Sequence, residues 1–326
     1  MDSTDLSPRF NIKQSGTCLE FRNVDMASIP VLQDFIEKYP SRSCDLSIGG
    51  ILMWADYFHY QYAVLHDTLF LKGFDSTSNN FIYYMPTGKL DIASALSLLR
   101  HHARKNLQFG ILISPEQSEY PDSSSLCADY ISEWREYLYP IERFISFAGK
   151  KMEKKRNHLN YFRNHYPEIT VKPITPALLP DLIDFTKCFS AIHSDSPMAE
   201  YESRQTIEVL KNFDSYPFFG VALTDRDKLI GYSFGEKTGD TFLVHVEKGD
   251  ISYRGIYQAV ASSMATAASQ RFPGLAWLNR EEDMGDESLR KSKESYHPTA
   301  LVLKRQILLP DCIYNPQDET SRGYGN

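Results

Sequence analysis

The sequence predicts an α+β protein of two domains, and three features of its 326 residues favour this class. At roughly 100–200 residues per domain, a chain of this length forms two domains that each bury a core. Segments with apolar residues at helical spacing alternate with short apolar runs that are typical of strands. Aromatic residues make up 13% of the chain, which favours packed mixed sheets over a long coiled coil.

The first predicted domain covers residues 1–139. Its first helix is expected over 26–39, where Ile29, Leu32 and Ile36 share one face. Its other elements are strands at 60–65, 68–74, 81–85 and 109–113 and a helix at 91–106.

The second predicted domain covers residues 140–309, and 310–326 are expected to form a flexible tail. Helices are expected at 148–165, 176–192, 200–213, 253–270 and 286–294. Strands are expected at 169–174, 218–224, 229–235, 241–247, 275–279 and 300–308. Because the order of elements is similar in the two halves, we interpret them as divergent copies of one fold.

The charge balance excludes one class of nucleic-acid-binding protein. With 42 acidic and 35 basic residues the net charge is -7, so a globally basic binder is not expected, although a local basic patch is compatible with it. The polar, acidic first residues lack the pattern of a signal peptide, and no apolar run approaches the ~20 residues of a membrane span. We therefore expect a cytoplasmic protein without an integral membrane segment.

The cysteines give no sign of a metal or disulfide framework. No CxxC pair occurs, and a reducing setting with small buried cysteines is the simplest interpretation. The five are Cys18, Cys44, Cys127, Cys188 and Cys312. Helix-spaced ligands such as HExxH are also absent from the sequence, so we expect no metal ion and no bound cofactor.

One short segment matches a catalytic motif in its sequence but not in its predicted structural context. The run 231–235 fits the G-x-S-x-G elbow around Ser233, which requires a strand, a sharp turn and a helix. Here the serine lies inside an alternating run that leads into another strand. A serine hydrolase that uses Ser233 is therefore a minor alternative.

The predicted hairpin at 229–247 places ionisable groups together. With a loop at 237–240, His245 lies opposite Tyr232, and Glu247 shares its face together with Tyr232 and Glu236. A His and a Glu on a half-apolar face are suited to general acid–base catalysis, because burial and proximity shift their pKa values. The alternative is a structural His–Glu hydrogen bond.

The segment after this strand has the form of an anion site. Lys248, Arg254, Gly255 and Tyr257 lie between a strand and a helix N-terminus, where free N–H groups and the dipole favour phosphate. The loop resembles the pyrophosphate loop of GNAT acyltransferases only at Arg254 and Gly255. Tyr257 stands where that loop has a glycine, which hinders close approach to coenzyme A.

Two further charged segments are candidate binding sites. An acidic cluster follows a short strand, at a position where loops carry chemistry, and leads into a helix whose i,i+4 charge pairs also fit simple helix stabilisation. Its residues of interest are Asn279, Arg280, Glu281, Glu282, Asp283, Arg290, Lys293 and Tyr296. The helix at 148–165 carries four basic residues, Lys151, Lys154, Lys155 and Arg156. They are a candidate binding site for phosphate or RNA, and the alternative is that they form an ordinary solvated helix face.

Together these segments carry a family resemblance. Lys151–Phe162, Thr241–Lys248, and Asn279–Pro298 resemble an uncharacterised bacterial family that is similar to the C-terminal catalytic domain of phosphatidylglycerol lysyltransferase. The resemblance covers most of residues 20–308. It implies two tandem GNAT-like domains and a distant relation to Fem-type aminoacyl transferases, which take an amino acid from aminoacyl-tRNA.

The leading hypothesis is therefore aminoacyl transfer from tRNA to an amine or hydroxyl acceptor, a small molecule or a lipid, held between the domains. His245 or Glu247 would remove the acceptor's proton, with Glu281 as a third catalytic candidate. The backbone near Arg254 and Gly255, or Arg280, would stabilise the oxyanion. The remaining residues named above would bind substrate, and the basic helix would hold donor phosphate.

Two other classes stay open besides the hydrolase. The order of elements also fits an N-acyltransferase that uses acyl-coenzyme A as donor. A non-catalytic GNAT-like protein would use the charged C-terminal motif as a ligand clamp. Thermal stabilisation by coenzyme A would distinguish the first, and loss-of-carboxylate variants without phenotype would distinguish the second.

Overall fold

The computed structural model of the chain describes residues 18–115, 129–193 and 196–309. Its helices are α1 (Ile29–Lys38), α2 (Ile48–Met53), α3 (Ile92–Asn106), α4 (Ile141–Ser146), α5 (Glu153–His165), α6 (Leu179–His193), α7 (Pro197–Lys211), α8 (Ile256–Arg271) and α9 (Glu287–Glu294). No helix in these ranges is both long and apolar enough to cross a membrane. The predicted tail at 310–326, Cys127 and Cys312 lie outside the described residues.

The strands form two mixed sheets. In chain order they are β1 (Arg22–Asn23), β2 (Gln61–Leu65), β3 (Thr68–Asp75), β4 (Asn80–Tyr84), β5 (Thr87–Gly88), β6 (Gly110–Pro115), β7 (Asp129–Tyr130), β8 (Glu136–Pro140), β9 (Ile169–Pro173), β10 (Phe219–Asp225), β11 (Lys228–Thr238), β12 (Thr241–Gly249), β13 (Trp277–Glu282), β14 (Ala300–Val302) and β15 (Lys304–Leu309). The first sheet has the order β1-β2-β3-β4-β6-β15-β7, with β5 on β3, and the second β14-β8-β13-β12-β11-β10-β9.

The same unit occurs in both sheets, and it is the GNAT-like arrangement. An antiparallel meander leads into a helix and then into a strand parallel to the meander's last strand. In the first sheet this unit is β2-β3-β4-α3-β6, and in the second it is β10-β11-β12-α8-β13. The α+β class and the tandem GNAT-like organisation are therefore confirmed.

The chain exchanges strands between the two sheets. The predicted boundary after residue 139 falls inside β8, which pairs with β13 and β14 in the second sheet. The strand predicted at 300–308 is two strands, of which β14 belongs to the second sheet and β15 pairs with β6 in the first. Sheet membership thus groups 136–302 with the second sheet, and 304–309 return to the first.

Apolar cores cover both faces of the second sheet. One face packs against α4, α5 and α8 through Phe144, Leu159 and Val260, and the other packs against α6 and α7 through Leu182 and Val209. The first sheet is covered by α1 and α2 on one face and by α3 on the other. The expectation of buried cysteines is confirmed for Cys44 and is wrong for the exposed Cys18 and Cys188.

The hairpin of β11 and β12 differs from its predicted register. Thr238 pairs with Thr241, and Tyr232 lies opposite Lys248 rather than His245. Between Phe234 and Gly235 the register shifts by one residue, so that a β-bulge leaves His245 unpaired. The bulge turns the side chains of His245 and Val246 to the same face of β12 and the side chain of Glu247 to the opposite face. The predicted placement of His245 and Glu247 on one face is therefore wrong.

Gly255, at the start of α8, is required for packing. Its φ is +91°, and a Cβ at this position would lie 2.4 Å from the backbone oxygen of His158 on α5. Gly274 has the same φ, but apart from its chain neighbours no atom of the described residues lies within 4 Å of the position that its Cβ would take. Substitutions at these two glycines therefore distinguish the cost of backbone strain from the cost of a steric clash.

We expect Gly255→Ala to destabilise the protein more than Gly274→Ala. The left-handed backbone alone costs about 1–2 kcal/mol for a residue with a Cβ, and this cost applies to both variants. Only Gly255→Ala also has to separate α8 from α5. Urea unfolding of the two variants measures the difference, and equal midpoints would contradict this interpretation.

Candidate functional site

The central feature of the second sheet is an opening between β12 and β13. Their parallel pairing covers Thr241–Leu243 and Trp277–Asn279 and ends there, although both strands continue for several residues. Beyond that point, two side-chain contacts bridge the strands. His245 contacts Glu281, and Arg280 contacts Glu247.

On the first face of the opening, His245 lies between two carboxylates. Its Nε2 is 2.8 Å from Glu236 Oε1 and its Nδ1 is 2.7 Å from Glu281 Oε1. Both nitrogens can donate only in the imidazolium form. Burial alone would lower the pKa of His245, but the hydrogen bonds to Glu236 and Glu281 outweigh it and raise this pKa to about 10.

The geometry therefore contradicts a general-base role for His245, because neither ring nitrogen keeps a free lone pair. Its side chain is 2% exposed, whereas that of Glu281 is 26% exposed. The backbone of Glu281 is left-handed with φ +56°, and its N–H donates to Asn279 Oδ1 at 2.7 Å. Of the two carboxylates that contact His245, Glu281 is thus the one that reaches solvent, and His245 and Asn279 hold it in place.

The other half of the chain contributes to this face. The backbone N–H groups of Ile48 and Gly49, at the start of α2, donate to Glu236 at 3.1 and 2.6 Å. A Cβ on Gly49 would lie 2.3 Å from His245 Nε2, so only glycine fits. Gly49 was not among the residues predicted from the sequence, and the pair of glycines at 49–50 was the available signal.

We expect the loss of unfolding free energy caused by His245→Gln to become smaller as the pH rises. The folded-state pKa of His245 is about 10, above its usual value near 6.5, so its stabilisation is complete below pH 6.5 and is lost as the pH rises through 10. The difference in unfolding free energy between wild type and variant should shrink from pH 6 to pH 10. Exposed His101→Gln is the control, and a constant difference for His245→Gln would overturn the assignment.

On the opposite face, Arg280 and Glu247 form a buried ion pair. Arg280 Nη2 lies 2.7 Å from Glu247 Oε1, and the guanidinium packs over the rings of Phe144 and Tyr296 at 5.7 and 4.9 Å. Burial raises the pKa of Glu247, and Arg280 opposes that effect. Arg280 Nη1 is buried and has no hydrogen-bond partner in the part of the chain that the structure describes.

Lys155 joins this face from α5. Its Nζ lies 3.9 Å from the centre of the Tyr296 ring. Burial lowers the pKa of Lys155 to about 8, and the charge of Arg280 adds to this effect. This face of the opening is therefore cationic and aromatic, whereas the face of Glu281 is acidic.

A third charged cluster lies where the two sheets meet. Lys304 on β15 is fully buried, and its Nζ contacts Asp45 at 2.8 Å, Glu136 at 2.9 Å and Glu282. Glu136 also accepts hydrogen bonds from Ser43 Oγ, Cys44 N and Asn279 Nδ2. Burial would lower the pKa of Lys304, but the surrounding acidic groups raise it well above its usual value.

The ligand atoms of this cluster are close enough for a metal ion, but its cation is a lysine. One atom each of Cys44, Asp45, Glu136 and Glu282 lies within 4.8 Å of the others. The Lys304 ammonium already contacts the three carboxylates, so we assign Lys304, rather than a metal ion, as their counterion. Burial raises the pKa of Glu282 to about 8, although Lys304 opposes the shift.

Asp283 and its partners support the loop that follows β13. The Asp283 carboxylate accepts two bonds from Arg290, at 2.9 and 2.8 Å, and one from Tyr137 Oη at 2.5 Å. Burial opposes ionisation, but these bonds lower the pKa of Asp283 to about 2. Lys293 Nζ donates to the backbone oxygen of Glu282. These residues position the acidic strand end.

Several predicted site residues lie elsewhere. Tyr232 Oη contacts Thr186 in the core beneath α6, and Lys248 pairs with Glu202 on α7. Arg254 stacks on Tyr161. Arg156 also lies elsewhere and donates to the backbone oxygens of Phe147 and Gly149. The half-buried Tyr257 stays near the opening, because burial and then the charge of Glu247 raise its pKa.

Two remaining predictions concern surface charge and the serine motif. Lys151 and Lys154 are exposed on α5 and the turn before it, as expected for a surface patch. Ser233 is buried inside the continuous strand β11, so the elbow that a serine nucleophile needs is absent. The hydrolase alternative is therefore wrong.

Comparison with known proteins gives one family match. Residues 36–307 match the family model described as phosphatidylglycerol lysyltransferase, C-terminal. An uncharacterized protein of Mycoplasmoides gallisepticum is 28% identical over 181 residues, which cover 54% of this chain and 56% of that protein. The chain thus spans about half the length of this curated relative.

Solved structures show the same fold. A conserved protein of unknown function from Bacteroides thetaiotaomicron is 28% identical, with a TM-score of 0.82 over 89% of this chain and 99% of its own. The L-PGS structure from Bacillus licheniformis is 12% identical, with a TM-score of 0.59 over 89% and 94%. FemX is 10% identical, with a TM-score of 0.52 over 88% and 97%.

Proposed function

Since the chain belongs to the phosphatidylglycerol lysyltransferase C-terminal family, we propose that it transfers an aminoacyl group from aminoacyl-tRNA to an amine or hydroxyl acceptor in the cytoplasm. The observation that carries this proposal is the opening between β12 and β13. It combines a buried carboxylate with a raised pKa and a buried guanidinium nitrogen without a partner among the described residues. Acyl transfer needs a base and an oxyanion donor of these kinds.

In this proposal Glu247 is the general base and Arg280 the oxyanion donor. The acceptor nitrogen or oxygen attacks the ester carbonyl of the donor while Glu247 takes its proton. Arg280 Nη1 donates to the carbonyl oxygen as that atom gains negative charge. The ester bond then breaks, and the tRNA hydroxyl leaves with the proton that Glu247 returns.

The acidic face would hold the amino group of the donor. Glu281 is partly exposed, and His245 fixes its position from the buried side. This carboxylate would attract the ammonium group of an aminoacyl donor on one face of the opening, and the donor's carbonyl would reach through the opening to Arg280 on the other face. His245 is a positioning residue in this scheme.

The basic helix would hold phosphate groups of the tRNA. Lys151 and Lys154 are exposed at the start of α5, and Lys155 on the same helix turns inwards to Tyr296 and Arg280. A nucleic-acid strand bound along α5 would therefore end at the opening. This arrangement supports tRNA as donor with only a small basic footprint, as the net charge of -7 requires.

We expect Lys151→Ala combined with Lys154→Ala to weaken tRNA binding and flatten its salt dependence. Each phosphate interaction removed should reduce the slope of log K against log salt by about 0.7–0.9, so the loss of both lysines should reduce it by up to about 1.4–1.8. The control pair is Lys187→Ala with Lys211→Ala, two exposed lysines on α6 and α7. Filter binding over a series of salt concentrations measures both, and an unchanged slope for the α5 pair would remove this site.

The acceptor would lie between the two sheets. A cavity of about 710 Å³ is lined by Tyr39, Arg42, Met85, Leu90 and Asp240, among others, so both halves of the chain contribute. Arg42 donates to Asp240 at 2.6 Å across this cavity. Its mixed polar and apolar wall fits a small molecule or part of a lipid, which leaves both acceptor classes as candidates.

Coenzyme A is the second candidate donor, because the order of elements is that of GNAT acyltransferases. The loop before α8 does not favour its pyrophosphate. Asp250 accepts from Ser252 within that loop, Arg254 stacks on Tyr161, and Gly255 packs on α5. Binding assays with aminoacyl-tRNA and with acetyl-coenzyme A test the choice. We expect tRNA retention at low salt, and tight acetyl-coenzyme A binding without it would reverse our proposal.

A further inference from the structure

A buried lysine in the first sheet has an environment unlike that of the other buried lysines. Lys72 on β3 is 4% exposed. Among the described residues, the buried lysines Lys248 and Lys304 pair with carboxylates, and Lys293 has Glu281 and Glu282 as neighbours. None of the described carboxylates pairs with Lys72.

The neighbours of Lys72 are neutral or aromatic. Its Nζ donates to Gln108 Oε1 at 2.6 Å, lies 3.2 Å from His102 Nε2, and sits 4.4 Å from the ring centre of Phe21. The Asn106 amide donates to His102 Nδ1 at 3.2 Å, which leaves the ring proton on Nε2. That N–H has Gln108 Oε1 as an acceptor at 3.1 Å, so His102 offers Lys72 Nζ no lone pair that would stabilise an ammonium.

Burial therefore shifts the protonation of Lys72 without an opposing charge. It lowers the pKa of this amine to about 8 and also lowers the pKa of His102. Near neutral pH, the unprotonated fraction exceeds that of an exposed lysine by roughly two orders of magnitude. Further titratable groups near the amine are Tyr83, which pairs with Lys72 in the neighbouring strand and donates to the backbone oxygen of Gln108, and His59, on the wall of the adjoining cavity.

The cavity gives this amine access to a small molecule. It has a volume of about 140 Å³ and is lined by Asn23, His59, Gln61, Lys72, Gly73, Phe74 and Phe81. The residues that share this space with Lys72 are thus mostly polar or aromatic. A desolvated, partly unprotonated lysine on the wall of a cavity combines the two properties that make lysine a nucleophile, a free lone pair and access to a reactant.

We propose that the Lys72 amine is a nucleophile that takes up a small aldehyde as an imine at the base of this cavity. The Nζ lone pair forms a bond to the carbonyl carbon, and the nitrogen loses its protons to the carbonyl oxygen. That oxygen leaves as water, so no oxidant or reductant is needed. Selection is by size, because only a molecule of a few heavy atoms fits the cavity. This site is independent of the proposed aminoacyl transfer.

Reductive trapping tests the proposal on the full chain. The protein is treated with acetaldehyde and sodium cyanoborohydride over a pH series from mildly acidic to alkaline, and ethylation is quantified at every lysine by peptide mass spectrometry. We expect Lys72 to react at least about tenfold faster than Lys89 near neutral pH, with an inflection near pH 8. Lys89 is the internal control, because it is exposed and paired with Asp67 in the same domain.

Two variants complete the design. Lys72→Met should abolish labelling at this position while the melting temperature is maintained or rises, because a buried polar group is removed. Lys304, buried among carboxylates, should stay unlabelled in the wild type and in Lys89→Arg. Labelling of Lys72 no faster than that of Lys89 would overturn the proposal. Protection and a raised inflection on addition of inorganic phosphate would overturn it too, and would identify an anion site instead.

Discussion

Replacing Lys304 with Met should destabilise the protein by about 3–5 kcal/mol, the largest stability effect that we expect from a single substitution. Lys304 is the only cation in direct contact with Asp45 and Glu136 among the described residues, and its removal leaves buried carboxylates without a counterion. The affected cluster joins β15 of the first sheet to β8 and β13 of the second. Urea unfolding near neutral pH measures the loss, and we expect the two sheets to separate early.

Two comparisons make this result specific. Lys291→Met removes an exposed ion pair with Glu287 and should change stability by no more than about 0.5 kcal/mol. Adding Glu136→Gln to Lys304→Met removes one of the orphaned charges, because hydrogen bonds and Lys304 keep the pKa of Glu136 low despite its burial, and should restore part of the stability. If Lys304→Met unfolds at the wild-type urea concentration, the cluster does not join the sheets in the way described.

Replacing Glu247 with Gln should lower kcat for aminoacyl transfer by about 10²–10⁴-fold, because the general base is removed. The Gln amide oxygen can still accept from Arg280 Nη2, so the fold and the position of the guanidinium should be retained. We expect KM for the charged tRNA to change little, since phosphate binding is assigned to α5. Rates over a pH series should also lose the rising limb that titration of Glu247 gives to the wild type.

The matched control is Glu208→Gln, a change of the same kind at an exposed position on α7. It should keep the wild-type rate and melting temperature. Equal rates for Glu247→Gln and wild type would exclude Glu247 as the base and would favour Glu281, the partly accessible carboxylate on the other face of the opening.

Local patterns in the sequence were sufficient for much of the fold. Apolar residues at helical spacing located α1 and α3 within a few residues, and alternating runs located β2 and β3. The family resemblance supplied the tandem GNAT-like organisation. Elements too short for a clear period were missed, namely α2, α4 and β8.

The charged strand end at Glu281 and Arg280 was also predictable, because acidic and basic residues there had no simple helical explanation. Its arrangement was not predictable. The bulge at Phe234 and Gly235 has no signature in the sequence beyond a glycine, yet it decides that His245 and Glu247 lie on opposite faces.

The Lys304 cluster, like the bulge, could not be predicted from the sequence. Asp45, Glu136 and Lys304 are separated by up to 259 residues, and they meet only because β15 returns to the first sheet. No local pattern reports such a strand exchange. A lysine inside an apparent apolar strand was the single visible signal, and by itself it also fits an exposed edge.

The most direct test of the central claim is transfer of a radiolabelled amino acid from tRNA by the purified protein. Charged tRNA is incubated with protein and an extract of small molecules and lipids, and label is followed out of the tRNA and into acceptor fractions. We predict that wild type and Glu208→Gln move the label into an acceptor, whereas Glu247→Gln and Arg280→Lys do not. Label that stays on the tRNA with wild type, under conditions where acetyl-coenzyme A is consumed, would contradict aminoacyl transfer at this opening.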